Sequence, residues 1–343
     1  MTAPYKRIAT EEAFAPPEMV QAYFELIDKD PHVDPGLKSA WGYFGRNPSP
    51  RALAIRERLQ DLGARRIADM DAAGIDRQII ALTSPGTQIF NADMGRHMAV
   101  LANDQLAAAV ARHPDRFTGL AAIAPQDPAH AAREIERGVN RLGFRGVIIN
   151  SHTNDEYLDD PKFWPIFEAA EALGTPVYLH PNTPSRQMIA PFLARGLEMA
   201  IYGFQVETGF HALSLIVAGV FDRFPKLQLI LGHLGEALPF WMYRIDHMHA
   251  ASVGSGRYKN WIKLDKSPSE TMRANFHITT SGMPWGPAIR FVQEVMGEDR
   301  VLYAMDYPYQ YVPAEVAMSE QVPMPDATRV KFFQTNAEKL FKL

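Results

Sequence analysis

Cysteine is absent from the 343-residue sequence, which excludes disulfides, thiolate metal sites and cysteine nucleophiles together. Any catalysis must fall to His, Asp, Glu or Arg. No window approaches the roughly 18 apolar residues of a membrane span, and the opening "MTAPYKRIATEEAF" lacks the apolar core of a secretory signal, so the expected compartment is the cytoplasm. A surplus of positive charge is also missing. The 35 Lys and Arg stand against 39 Asp and Glu, a formal charge of −4, which argues against nucleic acid or an anionic membrane as the main partner. An anionic ligand would have to be met by a local basic site. There is no repeat of fixed period and no low-complexity linker, so the simplest division is a single domain over residues 1–343.

What is present is a hydrophobic content of 47%, enough for a full core, arranged in short apolar runs with helical patterns between them. The runs are "KRIAT", "DRQIIAL", "FTGLAAIAP", "GFRGVIIN", "PVYLH", "LQLILGH", "NFHITTSG" and "VLYAMDYP". Between them, "PAHAAREIERGVNRLG" and "PKFWPIFEAAEALG" space apolar residues three to four apart and close on Gly143 and Gly174, as helix C-termini commonly do. Alternation of strand and helix favours a parallel sheet. Eight strands is the number that closes a (β/α)8 TIM barrel, the α/β fold class expected here. The first connection is too long for one crossover helix and rich in Pro, Gly and aromatics, so residues 15–68 read as an inserted helical and loop lobe covering the barrel mouth.

Barrel enzymes gather their chemistry at the C-terminal ends of strands. Four predicted strands end near a residue able to bind metal or move protons: Glu11 or Glu12 on the first, His180 on the fifth, His233 on the sixth and Asp306 on the eighth. Taken singly, each has a bland reading as a structural histidine or a helix cap. Taken together they would face one mouth. Since alternate strand residues point to opposite faces, one of the two glutamates should point inward and the other away. Oxygen and imidazole donors without sulfur suit Mn²⁺ or Zn²⁺, and two carboxylates lean towards Mn²⁺. In "GHLGEALPFWMYRIDHMH" the turn "HLGE" reads as a strand end entering a helix, so that His233 and Glu236 share a proton or fix each other's orientation. From spacing alone, Arg244 reads as a surface salt bridge and His247 and His249 as solvated helix residues. Arg51, in "PSPRALAIRERL", is either structural or a bidentate grip on a carboxylate. The acids of "DMDAAGID" and "SHTNDEYLDD" read as caps and solvated surface.

"ATEEAFA", "MDAAGID", "LTSPG", "APQDP", "INSHT", "YLHP", "VETGFH", "GHLGEALPFW", "YAMDYPYQY" and "FFQTNAEKLFKL" together resemble the decarboxylase branch of the amidohydrolase superfamily, from Arg7 to Leu343. That superfamily usually opens with two histidines one residue apart on its first strand; here Glu11 and Ala13 take those places. The departure is similar to that of the 5-carboxyvanillate decarboxylases, whereas γ-resorcylate decarboxylases keep a histidine in the second place. The resemblance implies Glu11, His180 and Asp306 as metal ligands, Mn²⁺ as the metal with Zn²⁺ as the alternative, and no organic cofactor. Glu12 would support the strand end from the other side.

The resemblance also implies roles for other residues. Asp306, with His233 and Glu236, would be catalytic; Arg51, Arg244, Thr83 and Tyr309 would bind substrate, Arg244 from across the interface of a homodimer or homotetramer. The implied reaction is non-oxidative decarboxylation of an ortho-hydroxybenzoate, 5-carboxyvanillate to vanillate and CO₂, with a γ-resorcylate-type substrate as the alternative. Two rivals stand beside it. The same metal site could hydrolyse an ester, lactone or amide, or the chain could be a barrel retained for binding alone. Only decarboxylation yields CO₂, and a binding-only protein has no need to keep Glu11, His180, His233 and Asp306 together.

Overall fold

The computed structural model describes residues 4–259 and 261–343. Its strands, all parallel, are β1 (Ile8–Phe14), β2 (Arg77–Leu82), β3 (Phe117–Gly119), β4 (Ala121–Ala122), β5 (Val147–Asn150), β6 (Val177–His180), β7 (Leu229–Leu231), β8 (Phe276–Thr279) and β9 (Val301–Leu302). They form a three-stranded sheet, β1-β2-β3, and a six-stranded sheet in the order β4 to β9. Each apolar run of the sequence carries strand, and the third is split in two at Leu120. Backbone hydrogen bonds link the flanks of the two sheets on both sides: Arg145 N, ahead of β5, donates to Gly119 O at 3.0 Å, Thr10 N to Tyr303 O at 3.1 Å and Ala13 N to Tyr307 O at 2.7 Å.

The strand sequences explain this arrangement. "VIIN", "VYL" and "LIL" are buried on both faces, as parallel strands with helices packed around them require, and so they read as continuous apolar runs without alternation. The crossover helices carry their own start and stop signals. Asp127 accepts from His130 N at the head of the Pro128–Asn140 helix, and Gly174, at φ 56°, ends the Trp164–Leu173 helix. Ser267 and Glu270 form a capping box at the head of Pro268–Asn275.

Between β1 and β2 lie four helices, Pro17–Lys29, Pro35–Phe44, Pro50–Gln60 and Ala64–Ala73. The first three begin with proline at the position where its missing N–H costs nothing. Asp69, on the fourth, is not a solvated acid: it pairs with Arg58 at 2.7 Å and accepts from the Tyr307 hydroxyl at 3.0 Å. His249 is likewise buried, stacked on Trp261 with ring centroids 5.2 Å apart, whereas His247 is exposed as expected. Among the described residues no helix is long and apolar enough to cross a membrane.

Candidate active site

Glu11 and Glu12 lie in the middle of β1, where its pairing with β2 shifts register between Ala9 and Glu12, an irregularity that re-aims side chains. Both glutamates are buried. Glu11 Oε1 lies 3.3 Å from His180 Nε2 and 3.6 Å from His233 Nε2 and has no hydrogen-bond partner, while Oε2 accepts from Thr279 Oγ1 at 3.1 Å. A side chain at Gly232 would put a Cβ 2.8 Å from Oε2, so only glycine leaves the carboxylate its place there.

The two imidazoles are held in one tautomer. His180 Nδ1 is 2.9 Å from the Pro181 carbonyl, which can only accept, and His233 Nδ1 is 2.7 Å from Glu236 Oε1. In the neutral form that a metal requires, hydrogen on Nδ1 would leave the lone pair of Nε2 turned towards Glu11. His180 closes β6 as expected. His233 stands just beyond β7 in a turn where every residue from His233 to Ala237 has positive φ, so "HLGE" leads from strand to the Leu238–Gly254 helix, as expected, through a left-handed turn. The two glutamates differ in direction as well. Glu11 faces the imidazoles, while Glu12 accepts from the backbone amides of Met305 and Tyr307.

Asp306 lies beyond β9 at φ 67° and lines the same cavity as His180 and His233. Burial, then the charge of Glu11, pushes its pKa up to about 7 against the pull of the imidazoles. Burial works against the His233 charge, but Glu236 and Glu11 outweigh it and raise the ring to about 10. Glu11 is also penalised by burial, yet His233 and His180 hold its pKa below the usual carboxylate value.

The cavity is about 140 Å³; a dry cavity on the order of 150 Å³ takes one benzene ring. Leu37, Trp41 and Phe44, from the helices between β1 and β2, form one wall, and Met199 and Phe204 the other. Tyr309 lines it too, its hydroxyl 2.5 Å from Thr83 Oγ1. Arg51 is exposed at this rim and donates through Nη2 to Tyr309 O at 3.0 Å. Arg244 is not brought to this cavity: it is exposed in a separate apolar groove with Phe210, Trp241, Met248 and Trp261.

Sequence reasoning missed several contributors. Thr279, the last residue of β8, occupies a strand-end position that could have singled it out. Gly36 allows the Pro35–Phe44 helix to approach the loop after β6, since a Cβ there would meet Thr183 Oγ1 at 1.8 Å. Behind that loop, Glu207 accepts from Tyr157 at 3.0 Å and from Ser185 N at 3.1 Å, and His152 Nε2 meets Thr183 O at 3.1 Å. No periodicity marks these residues.

A divalent ion fits this donor set. The observation is the buried Glu11 Oε1, without a hydrogen-bond partner, between two imidazole Nε2 atoms: one carboxylate oxygen and two nitrogens converge as a cation's donors would. Among the described residues no three His, Asp or Glu side chains already stand together as a complete metal cage.

A family model described as amidohydrolase matches residues 30–343. A 5-carboxyvanillate decarboxylase from Novosphingobium aromaticivorans, crystallised with manganese and 4-hydroxy-3-methoxy-5-nitrobenzoic acid, is 54% identical; 99% of this chain and 97% of that one are covered, at a TM-score of 0.97. The 5-carboxyvanillate decarboxylase of Sphingomonas paucimobilis is 42% identical over 99% of each chain, at a TM-score of 0.93. The gamma-resorcylate decarboxylase of Rhizobium radiobacter is 35% identical over 98% of each. A family model spanning the site residues His180, His233 and Asp306, together with relatives matched over nearly the whole chain, leads to one conclusion: this chain belongs to the amidohydrolase family.

Proposed function

We propose that the chain is a Mn²⁺-dependent carboxy-lyase that decarboxylates an ortho-hydroxybenzoate, 5-carboxyvanillate to vanillate and CO₂. The observation that carries this reading is the unpartnered Glu11 oxygen flanked by two tautomer-locked imidazoles on the wall of a cavity the size of one aromatic ring. The Novosphingobium and Sphingomonas relatives support the substrate. The Rhizobium relative supports γ-resorcylate as the second substrate to try.

In this reading Glu11, His180 and Asp306 hold the ion. When bound, Mn²⁺ lowers the pKa of the phenol beside the carboxylate and anchors the ring. Direct loss of CO₂ would leave an unstabilised aryl anion, so the ring carbon must be protonated first. Asp306 is the general acid, delivering a proton to the carbon bearing the carboxylate. The carbon–carboxylate bond then breaks, its electron pair restores aromaticity, and CO₂ leaves. His233 and Glu236 relay the replacement proton, and Thr83 and Tyr309 orient the ring. Arg51 positions the leaving carboxylate from the rim, and Arg244 does so from the neighbouring subunit of a homodimer or homotetramer. The reading includes a closed (β/α)8 barrel in a single cytoplasmic domain, with residues 15–68 as a lobe over its mouth. The hydrogen bonds linking the two sheets, and the cavity wall of Leu37, Trp41 and Phe44, support it.

The test is CO₂ release from 5-carboxyvanillate and from γ-resorcylate by Mn²⁺-loaded protein, with a chelated control and an Asp306→Asn variant. Metal-dependent vanillate formation, lost in the folded variant, is the expected result. Hydrolysis of esters or lactones without CO₂ from any hydroxybenzoate would overturn the reading.

A further inference from the structure

Glu12 is wholly buried and lines neither the cavity nor the surface. Its Oε1 accepts from Met305 N at 3.0 Å and its Oε2 from Tyr307 N at 3.1 Å. Those are the residues on either side of Asp306, which alone of the three has φ in the left-handed region, at 67°. For a residue with a side chain that conformation is strained and persists only where the surroundings impose it. A carboxylate gripping two amides two residues apart imposes it, because the residue between them has to loop out.

The grip is itself braced. Arg66, also fully buried, donates through Nη2 to the carbonyl of Ala13, the next residue along β1, and its guanidinium lies 4.6 Å over the Tyr307 ring. The Tyr307 hydroxyl donates to Asp69 at 3.0 Å. Burial pushes the Glu12 pKa well up, the two amides and the Arg66 charge oppose that rise, and Arg66 packs against the residue that Glu12 holds. An apolar side chain in place of Glu12 would leave both amides unpaired in the interior.

We propose that Glu12 is a positioning residue: by holding the amides of Met305 and Tyr307 it fixes the backbone of Asp306 so that its carboxylate lies on the cavity wall with His180 and His233. The kinetic arm of the test rests on the decarboxylase reading, and the metal-binding arm does not.

Glu12→Gln keeps the size but turns one of the two acceptors into a donor facing an N–H. With circular dichroism unchanged, Mn²⁺ affinity, read from the electron paramagnetic resonance signal of free Mn²⁺, should fall about 10- to 100-fold. On 5-carboxyvanillate kcat should fall on the order of 100-fold while KM moves little. Glu12→Asp keeps both acceptor oxygens on a shorter arm, and should lose less of each. A folded variant with wild-type Mn²⁺ affinity and kcat overturns the proposal; so does failure of both variants to fold, which would make Glu12 a support of the fold alone. If the wild type releases no CO₂, the decarboxylase reading fails, and Mn²⁺ affinity in the folded variants still decides the role of Glu12.

Discussion

His233 Nδ1 and Glu236 Oε1 are 2.7 Å apart across a turn whose φ values run from 47° at His233 to 62° at Ala237. Four of its five residues carry side chains, and each costs on the order of 1 kcal/mol in that conformation. The cost is offset by a bond between two buried groups that would be destabilising apart. Without Glu236 as a counter-charge, burial would dominate and the His233 ring would lose its proton more readily. In metal-free Glu236→Gln, nitrogen NMR should therefore show His233 titrating well below its position in the metal-free wild type. An unchanged titration would mean that Glu11 and Asp306 hold the proton on their own.

A second prediction concerns metal and stability. Glu11 Oε1 is buried without a partner, so filling the space beside it should stabilise the fold by mass action, about 2.7 kcal/mol at a hundredfold excess of Mn²⁺ over its Kd. Calorimetry should show Tm falling on chelation and returning with Mn²⁺. In Glu11→Gln, which weakens the anionic donor set, that response should be largely lost. A Tm indifferent to chelator in the wild type would remove Glu11 from the metal site.

Arg51 donates one N–H to Tyr309 O and is otherwise exposed at the rim, which leaves the rest of its fork for a substrate carboxylate. A hydrogen bond to a charged group contributes about 1.5–3 kcal/mol. Arg51→Ala should accordingly raise KM roughly tenfold or more with kcat much less affected, since the contact is made before the chemistry begins. A drop in kcat at unchanged KM would place Arg51 in the chemical step. For Arg244, mixing Arg244→Ala chains with Asp306→Asn chains should restore activity that neither variant has alone. Absence of complementation in a verified mixed oligomer would return Arg244 to an ordinary surface role.

The sequence was legible where chemistry coincides with pattern. Apolar runs ending in His180, or leading to His233 and Asp306, announced both the parallel strands and the rim, because a strand buried on both faces has no packing reason to stop on a polar side chain. The length and the Pro, Gly and aromatic content of the segment after β1 announced an insertion, and it carries helices. What stayed hidden depends on backbone contacts distant in sequence: Glu12 bonds amides 293 and 295 residues away. The His233–Glu236 bond, three residues apart, was readable from "HLGE", and only the left-handed course of its backbone was not. The wall formed by Gly36 and Thr183 follows from a close approach that no single-residue preference encodes.

The buried network behind the loop after β6 leads to a prediction about acid. His211 is fully buried; its Nδ1 is 3.2 Å from Ser151 Oγ, and its Nε2 accepts from Leu158 N at 3.0 Å. Burial, helped by nearby His152, pushes its pKa down to about 3, while the adjacent Glu207 is itself pushed up by burial. An unfolded histidine titrates near 6.5. Between about 3 and 6.5 the unfolded chain therefore binds a proton that the native state does not. The contribution of His211 is complete above the unfolded value and is lost as pH falls through that window, at about 1.4 kcal/mol per pH unit. His211→Gln, whose amide oxygen can still accept from Leu158 N, should be less stable than wild type at pH 7 yet lose less on acidification. Thermal unfolding of the two proteins from pH 7.5 to 4.5 should accordingly converge, because the variant lacks the group whose protonation drives the wild-type loss; parallel curves would mean that His211 is protonated in the native state and that the acid sensitivity lies elsewhere.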